Sequence, residues 1–166
     1  MKRALFLACV LTVAVSPVDL CAQVRLGVHG SWAEDADWGL GGRVAVQLPV
    51  DRVPLVLVGS FDWFWPEADE IEDYWEINAN LVMRPTLELI AGYFGIGLNL
   101  AHTVAEDPFR AGTFSETKAG INLVGGLIYD GILTPYGEVR YEVGGGEQFV
   151  VTVGIGINLA TFTGIR

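Results

Sequence analysis

From Val24 to Leu159 the chain alternates apolar and polar residues with a period of two, the mark of strands with two unlike faces. Eight segments carry the alternation. The first four run from Val24 to Trp32, Trp38 to Leu48, Val53 to Trp65 and Tyr74 to Arg84. The second four run from Ile90 to Ala101, Thr117 to Ile128, Pro135 to Val143 and Gln148 to Leu159. Each is about as long as a barrel strand that crosses a membrane. Helical spacing explains none of them, and glycine recurs in nearly every one. Turn chemistry separates them: Glu34-Asp35-Ala36-Asp37, Pro49 with Pro54, Pro85-Thr86, Asp130-Gly131 and Gly144-Gly145-Gly146. The pattern predicts an all-β chain, an eight-stranded antiparallel up-and-down barrel.

The two faces decide which kind of barrel. One phase, with Leu26, Val28, Leu40, Val44, Leu57, Phe61, Leu81, Ile96, Leu98, Leu123, Val139 and Ile155, holds no charge. The opposite phase holds every strand charge: Arg25, Arg43, Asp62, Glu76, Arg84, Lys118, Glu138, Arg140 and Glu142. It also holds Asn78, Asn80, Asn99, Asn122 and Asn158. A soluble lipocalin-like carrier turns its polar phase to water and buries the apolar one around a ligand. Against that reading, the polar phase is crowded with small glycines such as Gly39, Gly41, Gly97, Gly126 and Gly154, which suit a narrow filled interior. After residue 23 the chain has a single lysine, where solvent-facing strands carry several against edge pairing. Near-balanced charges are also what a paired interior needs. The reading is therefore apolar outside and polar inside, as in a membrane barrel, with the nine charges as a lumen network.

The aromatics mark one end. Trp32, Trp38, Trp63, Trp65 and Trp75 share the apolar phase, and each falls at the same end of its segment; Tyr141 and Phe149 flank the last loop there. Rings at one height and on one face predict a girdle at headgroup level. The same end carries the predicted outer loops, from Ala33 to Asp37, Pro66 to Asp73, His102 to Glu116 and Gly144 to Glu147.

Composition adds address and charge. The chain has 166 residues and a formal charge of −10. Its mean hydropathy is +0.41. No stretch after residue 23 approaches the ~18 apolar residues a spanning helix needs. Lys2 and Arg3 precede an apolar run from Ala4 to Val15, broken by Ser16 and Pro17. This is expected to be a signal peptide over 1–22, cleaved near Ala22 and Gln23, ahead of a barrel domain over 23–166. Both cysteines, Cys9 and Cys21, lie in that segment, and the large Leu20 before Cys21 argues against lipidation. Beyond it the strands are nearly neutral, so the excess negative charge falls on the outer loops. Glu34, Asp35, Asp37, Glu67, Asp69, Glu70, Glu72 and Asp73 head that rim. The acids lack calcium-loop spacing, and the acidity excludes nucleic acid binding by charge. The rim points to cation-mediated contact with anionic lipopolysaccharide, to a basic surface partner, or to simple solubility.

On strand number, phase, girdle and loop asymmetry, the chain resembles the small eight-stranded outer-membrane barrels typified by the OmpA barrel domain and OmpX. Thr152-Val153-Gly154-Ile155-Gly156-Ile157-Asn158-Leu159 is similar to the terminal-strand signal read by barrel assembly machinery, although Thr163-Gly164-Ile165-Arg166 follow the last aromatic, Phe162. The resemblance implies insertion in the outer membrane of a diderm bacterium as a monomer, with a structural, adhesive or protective surface role. Some such barrels modify lipid A with a histidine, a serine and a carboxylate. His29-Gly30-Ser31 offers the first two, but in this register they face the lumen rather than lipid. No catalytic, metal or cofactor residues are assigned. An interior of this width is filled by its own side chains, which disfavours a porin.

Overall fold

The computed structural model describes residues 24–50, 53–67, 71–85, 89–106, 112–144 and 147–159. Eight strands follow one another: β1 (Val24–Ala33), β2 (Asp37–Gln47), β3 (Leu55–Trp65), β4 (Ile71–Met83), β5 (Ile90–Glu106), β6 (Thr113–Tyr129), β7 (Leu133–Val143) and β8 (Phe149–Asn158). Each pairs antiparallel with the next, and β1 closes on β8 from Arg25↔Asn158 to Ala33↔Val150. Closure leaves no edge within the barrel wall. The signal segment 1–22 and the terminal residues 160–166 lie outside the described residues.

The alternation sets the faces as read from the sequence. Val28, Leu40, Ile96, Leu98 and Val153 stand at least 60% exposed on the outside, whereas Asp62, Glu76, Asn122 and Glu142 are buried inside. The interior is zoned, however, and not uniformly polar. Ala45, Val56, Val58, Val82, Ala91, Val124 and Ile128 form an apolar band in its inner half, packed with the rings of Tyr93 and Tyr136. Several strands carry valine or isoleucine on both phases there, so their inward residues meet each other rather than water. At the outer end Ala33, Ala36, Phe64, Tyr74, Ala101 and Val150 make a smaller apolar cluster. The ligand-sized apolar interior required by the carrier alternative is thus replaced by packed side chains.

Glycine makes that packing possible. A Cβ at Gly126 would stand 2.5 Å from the Tyr93 hydroxyl, and one at Gly154 would stand 2.5 Å from the Tyr136 hydroxyl and 2.6 Å from the His29 Cβ. The tyrosines lie where these glycines leave room. Gly154→Ala is expected to destabilise the barrel by about 1–3 kcal/mol through overpacking. Urea titration of barrels folded in detergent checks this, and unchanged stability would mean that Tyr136 moves freely.

The main departure from the sequence reading lies above the barrel. Within 102–116, expected as a loop, residues 102–106 and 113–116 are strand: β5 and β6 run 17 residues each and pair up to Glu106↔Thr113. Thr103, Val104, Thr113, Phe114 and Thr117 favour extended backbone, but with solvent on both sides they need no alternation of polarity, which hid the strand. β4 also starts earlier than expected, at Ile71, through an irregularity between Ile71 and Asp73.

Candidate functional site

Inside the barrel the inward side chains form layers along the axis. At the inner rim Asp130, in the turn after β6, lies 2.7 Å from Arg84 and 3.6 Å from Arg25. Above the apolar band, Arg43 sits 3.3 Å from Glu138 and 4.3 Å from the centre of the Tyr136 ring, a cation–π position. The Tyr93 hydroxyl donates to the same Glu138 at 2.8 Å.

The outer half is built around Arg140, which is 2% exposed. Its Nη2 donates to Glu76 at 2.7 Å and its Nε to Glu142 at 2.7 Å, while Nη1 lies 3.7 Å from Asp62. One guanidinium therefore holds three carboxylates, with its planar fork satisfying two directly. Tyr74 and Gln148 complete the shell of Glu76: the tyrosine hydroxyl donates at 2.7 Å and the amide Nε2 at 2.6 Å. Beneath, Asn99 and Asn122 donate to Asn78 at 3.0 and 2.8 Å, and Asn122 also reaches Asn80 at 3.0 Å. This amide ladder bridges β4, β5 and β6 without charge.

Asp62 gathers His29 and Ser31. His29 Nε2 lies 2.7 Å from Asp62, and its Nδ1 lies 2.8 Å from the Tyr136 hydroxyl. The Ser31 hydroxyl donates to the same Asp62 oxygen at 2.9 Å and meets Thr152 at 3.0 Å. The three residue types of a hydrolytic triad are together, but the carboxylate sits between serine and histidine. A relay needs the histidine against the nucleophile. All three are buried in the barrel wall, away from its outer surface.

The predicted charges thus come together in separate layers, with one exception. Lys118 has the lumen phase, facing the same side as its neighbour Ala101 on β5, but it stands above the lumen. It is 54% exposed and pairs with Glu116 at 3.2 Å. β6 has risen past the end of β7 by that point, so no wall encloses it. Tyr74, Tyr93, Tyr136, Gln148 and Asp130 are interior partners that the pattern of strand charges does not mark. The alternation Tyr136-x-Glu138-x-Arg140-x-Glu142 carried the signal for one of the tyrosines.

On the outer surface the aromatics pair across strands: Trp32↔Trp38, Trp38↔Trp65, Trp63↔Trp75 and Tyr141↔Phe149. His102 joins this belt rather than opening a loop. Its ring stacks on Trp75 with centroids 4.8 Å apart, and its Nδ1 lies 2.7 Å from the Thr117 hydroxyl. Of the acids, Glu34 and Asp35 lie in the β1–β2 turn, Asp37 opens β2 and accepts from the Glu67 amide at 3.0 Å, and Glu72 and Asp73 lie in β4. Asp69 and Glu70 lie outside the described residues.

No protein family matches the chain by sequence, and no curated protein matches it. Solved structures do. The N-terminal β-barrel domain of Pseudomonas aeruginosa OprF is similar over 82% of this chain and 98% of its own, with a TM-score of 0.66 and 13% identity. Neisserial surface protein A is similar over 82% and 96%, with a TM-score of 0.57 and 11% identity. Ail, the attachment invasion locus protein of Yersinia pestis, is similar over 82% and 95%, with a TM-score of 0.53 and 15% identity. The closed, eight-stranded antiparallel barrel of this chain is the fold of the small outer-membrane barrels.

Proposed function

We propose that the protein is a non-enzymatic outer-membrane barrel that holds a rigid β-projection at the cell surface for adhesive contact. The exposed apolar outer face, the aromatic belt at one end and the filled interior support placement in a membrane. The observation that carries the surface role is the projection itself. The last β6–β7 pair is Ile121↔Val143, so the stretch 113–120 is paired to β5 on one side and has no ladder partner on the other among the described residues. An open strand edge offers main-chain donors and acceptors to an extended segment of another protein. The surrounding acids, Glu34, Asp35, Glu72, Glu106 and Glu116 among them, favour a partner with basic flanks. The name of Ail, one of the structural neighbours, includes attachment and invasion.

Expression in a non-adherent diderm host tests this. The protein should fractionate with the outer membrane, migrate differently in boiled and unboiled samples, and confer adhesion to cultured cells. Replacing residues 104–115 with a two-residue turn should leave the heat-modifiable barrel intact and abolish adhesion. Recovery as a soluble protein without detergent overturns the membrane reading. Undiminished adhesion by the trimmed barrel overturns the role of the projection.

A further inference from the structure

The outer mouth of the barrel is closed by a pocket of about 180 Å³ between the β1–β2 turn, β4, β5, β6 and the residue before β8. Its apolar walls are Ala36, Ile71 and Ala101; Asp35 and Glu116 stand at the rim, and Gln148 lies at its base. Gln148 is 1% exposed. Its Nε2 is committed downward, to Glu76 at 2.6 Å and the Tyr74 hydroxyl at 2.8 Å. That orientation leaves Oε1 buried and without a hydrogen-bond partner among the described residues. A buried acceptor left this way has lost its hydration without replacement, and it asks for a donor.

Charge selects the donor. Below the pocket three carboxylates, Asp62, Glu76 and Glu142, share Arg140, and above it Asp35 adds to the Glu116–Lys118 pair. A low-dielectric mouth with this surplus concentrates cations. The volume holds several waters, more than a bare ion uses and enough for a short methylene chain with a charged head. The geometry points to a binding site for an alkyl-guanidinium or alkyl-ammonium group, whose N–H donors meet Gln148 Oε1 and Asp35 while its methylenes pack on Ala36, Ile71 and Ala101. The group can arrive as a free small amine or as a basic side chain of a surface partner. Both present the same chemistry.

The full chain folded in zwitterionic detergent is titrated with agmatine, with the tripeptide Gly-Arg-Gly, and with tetramethylammonium at equal ionic strength, and the Gln148 side-chain amide is followed by NMR. Agmatine should give saturable shifts there and tetramethylammonium, which has no N–H donor, none. Competition between the tripeptide and agmatine assigns the pocket to side chains as well; exclusion of the tripeptide restricts it to free amines. Gln148→Met, which removes that reporter and is followed on the Thr117 and Lys118 backbone amides, should weaken agmatine binding at least tenfold. Thr103→Trp, which fills the pocket from its lining without touching the Arg140 cluster, should do the same, followed on the Thr117 and Lys118 amides. No saturable shift with agmatine, or wild-type affinity in a folded Thr103→Trp, overturns the site.

Discussion

Arg140→Met should destabilise the folded barrel by about 3–5 kcal/mol, the largest loss expected from any single interior change. The substitution keeps a long apolar side chain, so little volume is lost. What it removes is the cation that Glu76, Glu142 and Asp62 share at 2.7, 2.7 and 3.7 Å. Those carboxylates are fully buried, and Tyr74, Gln148 and Asn78 supply hydrogen bonds without charge. Urea titrations of barrels folded into vesicles measure the loss. Glu142→Gln in the Arg140→Met background should recover part of it, because one uncompensated carboxylate is gone, and this double-mutant cycle separates charge from packing. Glu34→Gln, on the exposed outer turn, should stay within about 0.5 kcal/mol of the parent. A loss below about 1 kcal/mol for Arg140→Met would mean that the three acids do not depend on their shared cation.

How far the sequence carried this picture depends on what each residue answers to. Strand phase was legible because it repeats: Leu26, Val28 and Trp32 face out and Arg25, His29 and Ser31 face in for one reason, the pleat. Which charges meet was not legible, because partners such as Glu76 and Arg140 lie 64 residues apart and join through the register of three intervening strand pairings. Lys118 shows the limit most sharply. Its phase was right and its height wrong, since height depends on where β7 ends rather than on anything near Lys118. The projection was hidden for a related reason: both of its faces meet water, so the polarity signal disappears while the backbone preference of Thr103, Val104 and Phe114 remains. His102, which the polarity pattern places at the start of a loop, belongs instead to the aromatic belt, stacked on Trp75. The pocket acceptor Gln148 has no sequence signature, since an uncharged amide at a strand start is ordinary until its partners are known.

Ile96→Arg should cost about 2–4 kcal/mol when the barrel is folded into a bilayer, the amount expected for arginine on a lipid face near the midplane. Ile96 lies on β5 midway between Ile90 near the inner end and His102 in the belt, and it is 62% exposed, between Leu81 and Leu123 on neighbouring strands. If that face met water, the same substitution would replace an exposed isoleucine by a solvated charge and change stability by no more than about 0.5 kcal/mol. The two solvents therefore predict different outcomes for one residue whose contacts within the protein are few. Phe114→Arg supplies the internal control: Phe114 is also exposed, but it stands on the projection above the belt, where no hydrocarbon reaches. Its cost should be near zero in the same vesicles. A large penalty at Ile96 with none at Phe114 separates a lipid-facing wall from a wetted arm on a single pair of strands. Equal, small penalties at both would place the whole of β5 and β6 in water and overturn a lipid-facing wall.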